Sequence, residues 1–115
     1  MNFTTKIVEN NIVFTIEENS IGGKSAADLK QEFLTLVKPD FDSLIIDMTK
    51  VNVIDSSGLG ALLLAHRLFK DYDIKVILVG IQSFVRNLLV ITRIEKVFLY
   101  YDKVEDAIDF AKNSI

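Results

Sequence analysis

The sequence predicts an α/β fold: one mixed sheet of four to five strands with about four helices packed against it. Three observations carry that prediction. An alternating stretch opens the chain, near-continuous apolar runs recur at Leu44-Ile45-Ile46 and Ile74-Lys75-Val76-Ile77-Leu78-Val79, and segments of helical period separate those runs. At 115 residues the chain has the size of one globular domain, so residues 1–115 are expected to share one core.

The elements follow in order. Ile12, Phe14 and Ile16 alternate with Val13, Thr15 and Glu17, which is the period of a half-buried strand. Phe3 to Glu9 has the same character, and Asn10-Asn11 between the two suits a tight hairpin because Asn tolerates positive φ. Residues 18–24 read as a loop punctuated by Gly22 and Gly23. Ser25 then reads as a helix N-cap with Asp28 as a weak capping box, Leu29, Phe33, Leu36 and Val37 follow at helical spacing, and Pro39 stops the helix. The run Leu44-Ile45-Ile46 fits a strand covered on both faces.

Val51 to Ile54 is a short extended segment leading into Asp55-Ser56-Ser57-Gly58, and from there to about Asp71 the chain reads as its most apolar helix. Ile74 to Val79 is a second buried strand, closed by Gly80. Ser83 to Thr92 reads as a helix with Phe84, Leu88 and Ile91 on its apolar stripe, and Val97 to Tyr100 as a last strand. Asp102 is expected to cap a final helix whose stripe is Val104, Ala107, Ile108 and Ala111, with Glu105 at the box position.

Composition narrows the function. Apolar residues are 50% of the chain and charged residues 25%, ordinary values for a soluble fold and well away from those of a disordered chain. The absence of Cys excludes disulfides, thiolate zinc sites and iron–sulfur clusters, and a single His, His66, excludes a multi-imidazole metal site. A formal charge of −3 does not favour nucleic acid as a partner, since that recognition needs a basic patch. The longest apolar run of note, Ala61-Leu62-Leu63-Leu64-Ala65, is far short of a membrane span, and the chain start lacks the basic and apolar regions of a signal peptide. Membrane insertion is therefore not expected, and the cytoplasm is the default location.

No complete catalytic motif is present: neither a nucleophile elbow, nor a phosphate-binding loop, nor a dinucleotide fingerprint. His66 falls inside a helix at the edge of its apolar face, and Asp47 and Asp55 lie at strand ends, where carboxylates usually cap turns and helices. The distinctive run is Ile54-Asp55-Ser56-Ser57-Gly58-Leu59-Gly60-Ala61, where an extended segment turns into the apolar helix. Two Ser hydroxyls at a helix start can accept bonds from the unpaired N–H groups of the first turn. Gly58 and Gly60 leave the backbone open to close approach, and the helix start favours an anion such as phosphate. The alternative is a plain N-cap followed by small residues needed for packing.

Val53-Ile54-Asp55-Ser56-Ser57-Gly58-Leu59-Gly60 resembles the signature of the STAS domain of bacterial anti-sigma factor antagonists, and the order of elements resembles that family over essentially the whole chain. The Asp-Ser-Ser-Gly-Leu-Gly hexapeptide is the specific part of the likeness; the remainder matches by pattern. The resemblance implies a single STAS-like domain that is not an enzyme and carries no cofactor. It implies that Ser56, the first Ser after the Asp, is phosphorylated by a serine kinase that doubles as the anti-sigma factor, which itself supplies ATP and Mg²⁺. Ser57 is the alternative acceptor, and Asp55, Ser57 and Gly58 accompany Ser56 in the partner-facing loop. One departure is visible: family members often carry Gly-x-Leu-Asp after the second strand, where this chain has Asn19-Ser20-Ile21-Gly22.

The apolar helix supports an interface. Leu59, Ala61, Leu62, Leu63, Leu64, Ala65, Leu68 and Phe69 are more apolar positions than one stripe of about 100° holds. If Leu59, Leu62, Leu63 and Phe69 face the sheet, then Ala61, Leu64, Ala65 and Leu68 form a second face; otherwise the helix is simply buried between neighbours. On the first arrangement Leu64 and Leu68 join the partner-binding surface beside Ser56, and Leu59 is counted as partner-binding with the Asp55-Ser56-Ser57-Gly58 loop that it follows. A competing function, from the same resemblance, is a module that senses a small molecule or lipid within a transporter or larger complex. A hydrolase using Ser56 or Ser57 as nucleophile would need a base within about 3 Å.

Overall fold

The chain begins with a two-residue hairpin, β1 (Phe3–Val8) against β2 (Asn11–Ile16), in antiparallel register with Val8 opposite Asn11. These strands belong to a computed structural model that describes residues 1–113. The turn is Glu9-Asn10, both at positive φ (49° and 70°), one residue earlier than the sequence suggests. Asn11 is drawn into β2 because its side chain is satisfied there: Nδ2 donates to the Val8 and Glu9 carbonyls at 3.1 Å each, and Oδ1 accepts from Ser43 Oγ at 2.7 Å.

The rest of the chain is built from β3 (Ser20–Ile21), α1 (Gly23–Leu36), β4 (Ser43–Asp47), β5 (Val53–Ile54), α2 (Ser56–Lys70), β6 (Lys75–Val79), α3 (Ser83–Ile91), a 3-10 turn (Glu95–Val97), β7 (Leu99–Tyr101) and α4 (Val104–Asn113). The main sheet runs β1-β2-β4-β6-β7, parallel from β2 onward, and β3 pairs with β5 in a separate parallel ribbon. Each parallel step advances the same way across the sheet, and right-handed crossovers then put all three connecting helices on one face. On that face Ile12, Phe14, Ile16, Leu44, Ile46, Val76 and Leu78 pack with Leu29, Phe33, Leu62 and Phe69 in one core. The alternate residues Val13, Ile45, Ile77 and Val79 pack instead with Ala107 and Ile108 of α4. The expected mixed sheet with helices is therefore present, and both faces of its central strands are covered.

Several local expectations are corrected. α1 is flanked by Gly22, not Ser25; Ser25 lies in the first turn, where its Oγ accepts from the Gly22 N–H at 2.9 Å. Asp28 takes no part in a cap and binds the Met1 ammonium group at 3.2 Å. Residues 18–24 contain strand β3, held by the Asn52 N–H donating to the Asn19 carbonyl at 2.7 Å as well as by its pairing with β5. In α3 the stripe is shifted by one residue: Val85 and Leu89 are fully buried, while Phe84 (51%) and Ile91 (76%) are exposed. The last strand starts at Leu99, because residues 95–97 coil into the 3-10 turn and only Phe98 of that stretch is buried. α4 starts at Val104, so Lys103 rather than Asp102 flanks it.

Candidate functional site

The β3–β5 ribbon sets the site. Ile21 pairs with Ile54 in parallel, and each is followed within two residues by a helix, so the N-terminal ends of α1 and α2 emerge side by side. The Asp55 N–H donates to the Ile21 carbonyl at 3.2 Å and closes the gap between the two chain segments. Four N–H groups at each helix start lack partners in their own helix, so two sets of orphan donors converge here.

Asp55 answers them. It is the N-cap of α2, with extended backbone, and its Oδ1 accepts from the Gly58 N–H at 2.9 Å and from Ser57 Oγ at 2.6 Å. Ser57 Oγ in turn accepts from the Gly23 N–H at 3.1 Å, in the first turn of α1. The hydrogen bond from Ser57, then that from the Gly58 amide, hold the Asp55 carboxyl below the ordinary carboxylate range. The cap is thus a carboxylate, and the Ser57 hydroxyl serves the other helix rather than its own. Ser56 is exposed, and its hydroxyl makes no hydrogen bond to any described residue.

The remaining sequence-predicted residues divide. Gly58 is buried: a Cβ there would lie 2.7 Å from the Ile21 carbonyl oxygen, so its missing side chain serves the packing of α2 on β3 and not an incoming group. Leu59, at 8% exposure, is core and leaves the partner-facing set. Ala61 and Ala65, assigned to a second face, are fully buried. Leu63 and Leu68 are half-buried against the main core, while Leu64 is half-buried without joining either core. Leu64 is therefore the apolar residue of α2 that belongs to neither core.

His66 is ten positions beyond Ser56, about 15 Å along the helix, and packs edge-on to Phe98 with ring centroids 6.1 Å apart. The nucleophile and base of a hydrolase are thus not brought together. Asp47 closes a turn, accepting from the Thr49 N–H at 3.0 Å. Two apolar residues near this end of the molecule are exposed: Val53 (39%) on β5, and Phe84 on α3, which packs against β5.

Comparisons agree with this fold. An anti-sigma factor antagonist from Mycobacterium paratuberculosis superposes with a TM-score of 0.80 at 21% identity, covering 96% of this chain and 93% of that one. The Bacillus cell fate determinant SpoIIAA in its phosphorylated form gives 0.73 at 16% identity, covering 94% and 97%. A murine solute carrier 26 anion transporter, family member A9, gives 0.75 at 19% identity, covering 92% of this chain but 18% of the transporter. The STAS domain family matches residues 2–107, and the chain therefore belongs to the STAS domain family.

Proposed function

We propose that this chain is an anti-sigma factor antagonist: a protein-binding switch that docks on an anti-sigma factor with serine kinase activity while Ser56 is unmodified, and is released once Ser56 is phosphorylated. The single observation that supports it most is the contrast between the two hydroxyls. Ser56 stands exposed and unbonded at the mouth of α2, whereas Ser57 is engaged on both sides. In the transfer, Ser56 Oγ bonds to the γ-phosphorus of ATP and the bond from that phosphorus to the β–γ bridging oxygen breaks. The hydroxyl proton passes to a base of the kinase, and ADP leaves with the Mg²⁺ that the kinase holds. No residue of this chain is needed as a catalyst.

Phosphate adds about −1.5 to −2 charges at one loop of a protein whose formal charge is −3. At the start of α2 the helix dipole, worth about 0.3–1 kcal/mol, works against repulsion from the Asp55 carboxylate, and the exposed Ser56 lies outside both cores, so the fold persists. A partner seated over Ser56 and Leu64 would instead have to bury an unpaired charge, which is strongly unfavourable. Asp55, Ser57 and Gly58 serve this reading by shaping the loop, and Leu64, with the flank of Leu68, by offering apolar surface.

The test is incubation with candidate serine kinase–anti-sigma factors and ATP·Mg²⁺, followed by mass mapping. Wild type is expected to take phosphate at Ser56 and Ser56→Ala none; undiminished phosphate in Ser56→Ala would relocate the acceptor. A second reading, a ligand-sensing module of a transporter or larger complex, draws on the transporter match and on a cavity of about 300 Å³ lined by His66, Ile74, Val76, Val97 and Leu99. A small molecule retained through purification and seen by native mass spectrometry would favour it.

A further inference from the structure

We propose that strand β1 is a docking edge for a second copy of this chain: two β1 strands pair antiparallel about Thr5, joining two five-stranded sheets into one, and Phe3 of each copy covers Ile7 of the other. The surface shares no residue with the Ser56 loop, and the inference does not rest on the reading of that loop.

The hairpin fixes which backbone groups face outward. In a two-residue hairpin the closing pair, Val8 and Asn11, exchanges both hydrogen bonds, and every second pair repeats this, Lys6 with Val13 and Thr4 with Thr15. The Glu17 N–H donating to the Asn2 carbonyl at 2.9 Å continues the series. Phe3, Thr5 and Ile7 therefore turn their N–H and C=O groups away from β2, and no described residue pairs with them. Such an edge is ordinarily blunted by proline, by a bulge or by being short. The opposite edge, β7, has three residues; β1 has six, contains no proline, and pairs with β2 residue for residue without a bulge.

The side chains of this edge are complementary to themselves, which is what a two-fold dimer requires. Phe3, Thr5 and Ile7 oppose Ile16, Phe14 and Ile12, so they lie on the face of the three-helix layer, where Phe3 stacks on Phe14 at 4.8 Å. Ile7 is 62% exposed, beside a cavity of about 210 Å³ lined also by Leu36 and Phe41. A second β1 with Thr5 opposite Thr5 brings its Phe3 directly across from Ile7, on the same face, at this cavity. Phe3 with Ile7, Thr5 with Thr5 and Ile7 with Phe3 then each exchange two hydrogen bonds. Charge and length select this register. Moving the second strand by two residues one way sets Lys6 opposite Lys6, like charges face to face. Moving it as far the other way carries Ile7 past the end of the second strand, opposite Met1. In the chosen register Lys6 faces the uncharged Thr4.

The test is sedimentation equilibrium of the intact chain from about 10 µM to about 1 mM, with amide exchange followed by NMR at both ends of that range. The mass is expected to rise from 13.0 kDa towards twice that value. The outward amides of Phe3, Thr5 and Ile7 should exchange at least about fivefold more slowly at the high concentration, while those of Thr4, Lys6 and Val8, already bonded to β2, change less. Thr5→Pro removes one outward N–H without touching the β1–β2 ladder and should keep the chain monomeric. Thr4→Glu sets a carboxylate opposite Lys6 twice in the dimer and should tighten association at least about twofold, and Thr4→Lys should weaken it by as much. The Thr4 variants serve even if Thr5→Pro fails to fold. A mass of 13.0 kDa at every concentration, a doubled mass with the outward amides unprotected, or a folded Thr5→Pro chain that dimerises as well as wild type would each overturn the inference. Association unmoved by both Thr4 variants would overturn the register about Thr5. Outward amides that become protected only when an extended peptide of alternating apolar residues is added to a monomeric chain would give the edge to a different partner and overturn the assignment to a second copy.

Discussion

Asp55 serves two helices at once, directly through the Gly58 amide and, by way of Ser57, through the Gly23 amide. That double service makes the site sensitive to acid. The carboxyl of Asp55 is held below its ordinary value in the folded chain, so its contribution to stability is fully present above pH ~4 and is lost as pH falls through the lower folded value. Melting wild type and Asp55→Ala between pH 7 and pH 3 should show wild type the more stable at neutral pH and the difference narrowing only below about pH 4; a constant difference would contradict the cap. The residue types here were legible in the sequence, since an Asp-Ser-Ser run before an apolar helix marks a helix start. Which hydroxyl served which amide was not. The Gly23 partner lies 34 residues away, and nothing local to Ser57 encodes that distance.

At the scale of elements, α2 divides its apolar residues between the sheet and its neighbour α1, and periodicity alone does not separate those two burials. Ala61 and Ala65, read from the sequence as part of a second face, are fully buried in the main core. The two glycines give opposite predictions. Gly58→Ala drives a Cβ against the Ile21 carbonyl, a backbone atom that cannot yield, and should cost roughly 1–3 kcal/mol. Gly60→Ala meets nothing nearer than Lys30 Nζ at 3.8 Å and should stabilise α2 by about 0.4–1 kcal/mol. Denaturant unfolding of both variants checks the signs. Leu62→Ala, in the core, is expected to cost about 2–5 kcal/mol, whereas Leu64→Glu should leave the melting temperature nearly unchanged and weaken partner binding. A collapse of melting temperature in Leu64→Glu would move that residue into the core. The central strands of the main sheet were readable because buried parallel strands leave near-continuous apolar runs, whereas β3, two residues long, leaves none and reads as loop. The face of α3 was not, since Phe84, Val85, Leu88, Leu89 and Ile91 supply two overlapping stripes, and only the position of the sheet chooses between them.

For the whole molecule, the parallel order β2-β4-β6-β7 places α1, α2 and α3 on one face and leaves α4 alone on the other. The candidate site lies at the edge of that three-helix layer, where a short ribbon, β3–β5, brings two helix starts together. A charge added to Ser56 changes the surface without touching either core. We propose that this charge alters docking and leaves the fold intact, which is tested by calorimetric titration of an anti-sigma factor with the chain carrying phosphoserine installed at position 56, beside the unmodified chain. The phosphorylated chain is expected to bind at least about 100-fold more weakly, a loss of about 2.7 kcal/mol, with its melting temperature preserved. Equal affinities for the two forms, or loss of affinity that accompanies unfolding, would contradict it.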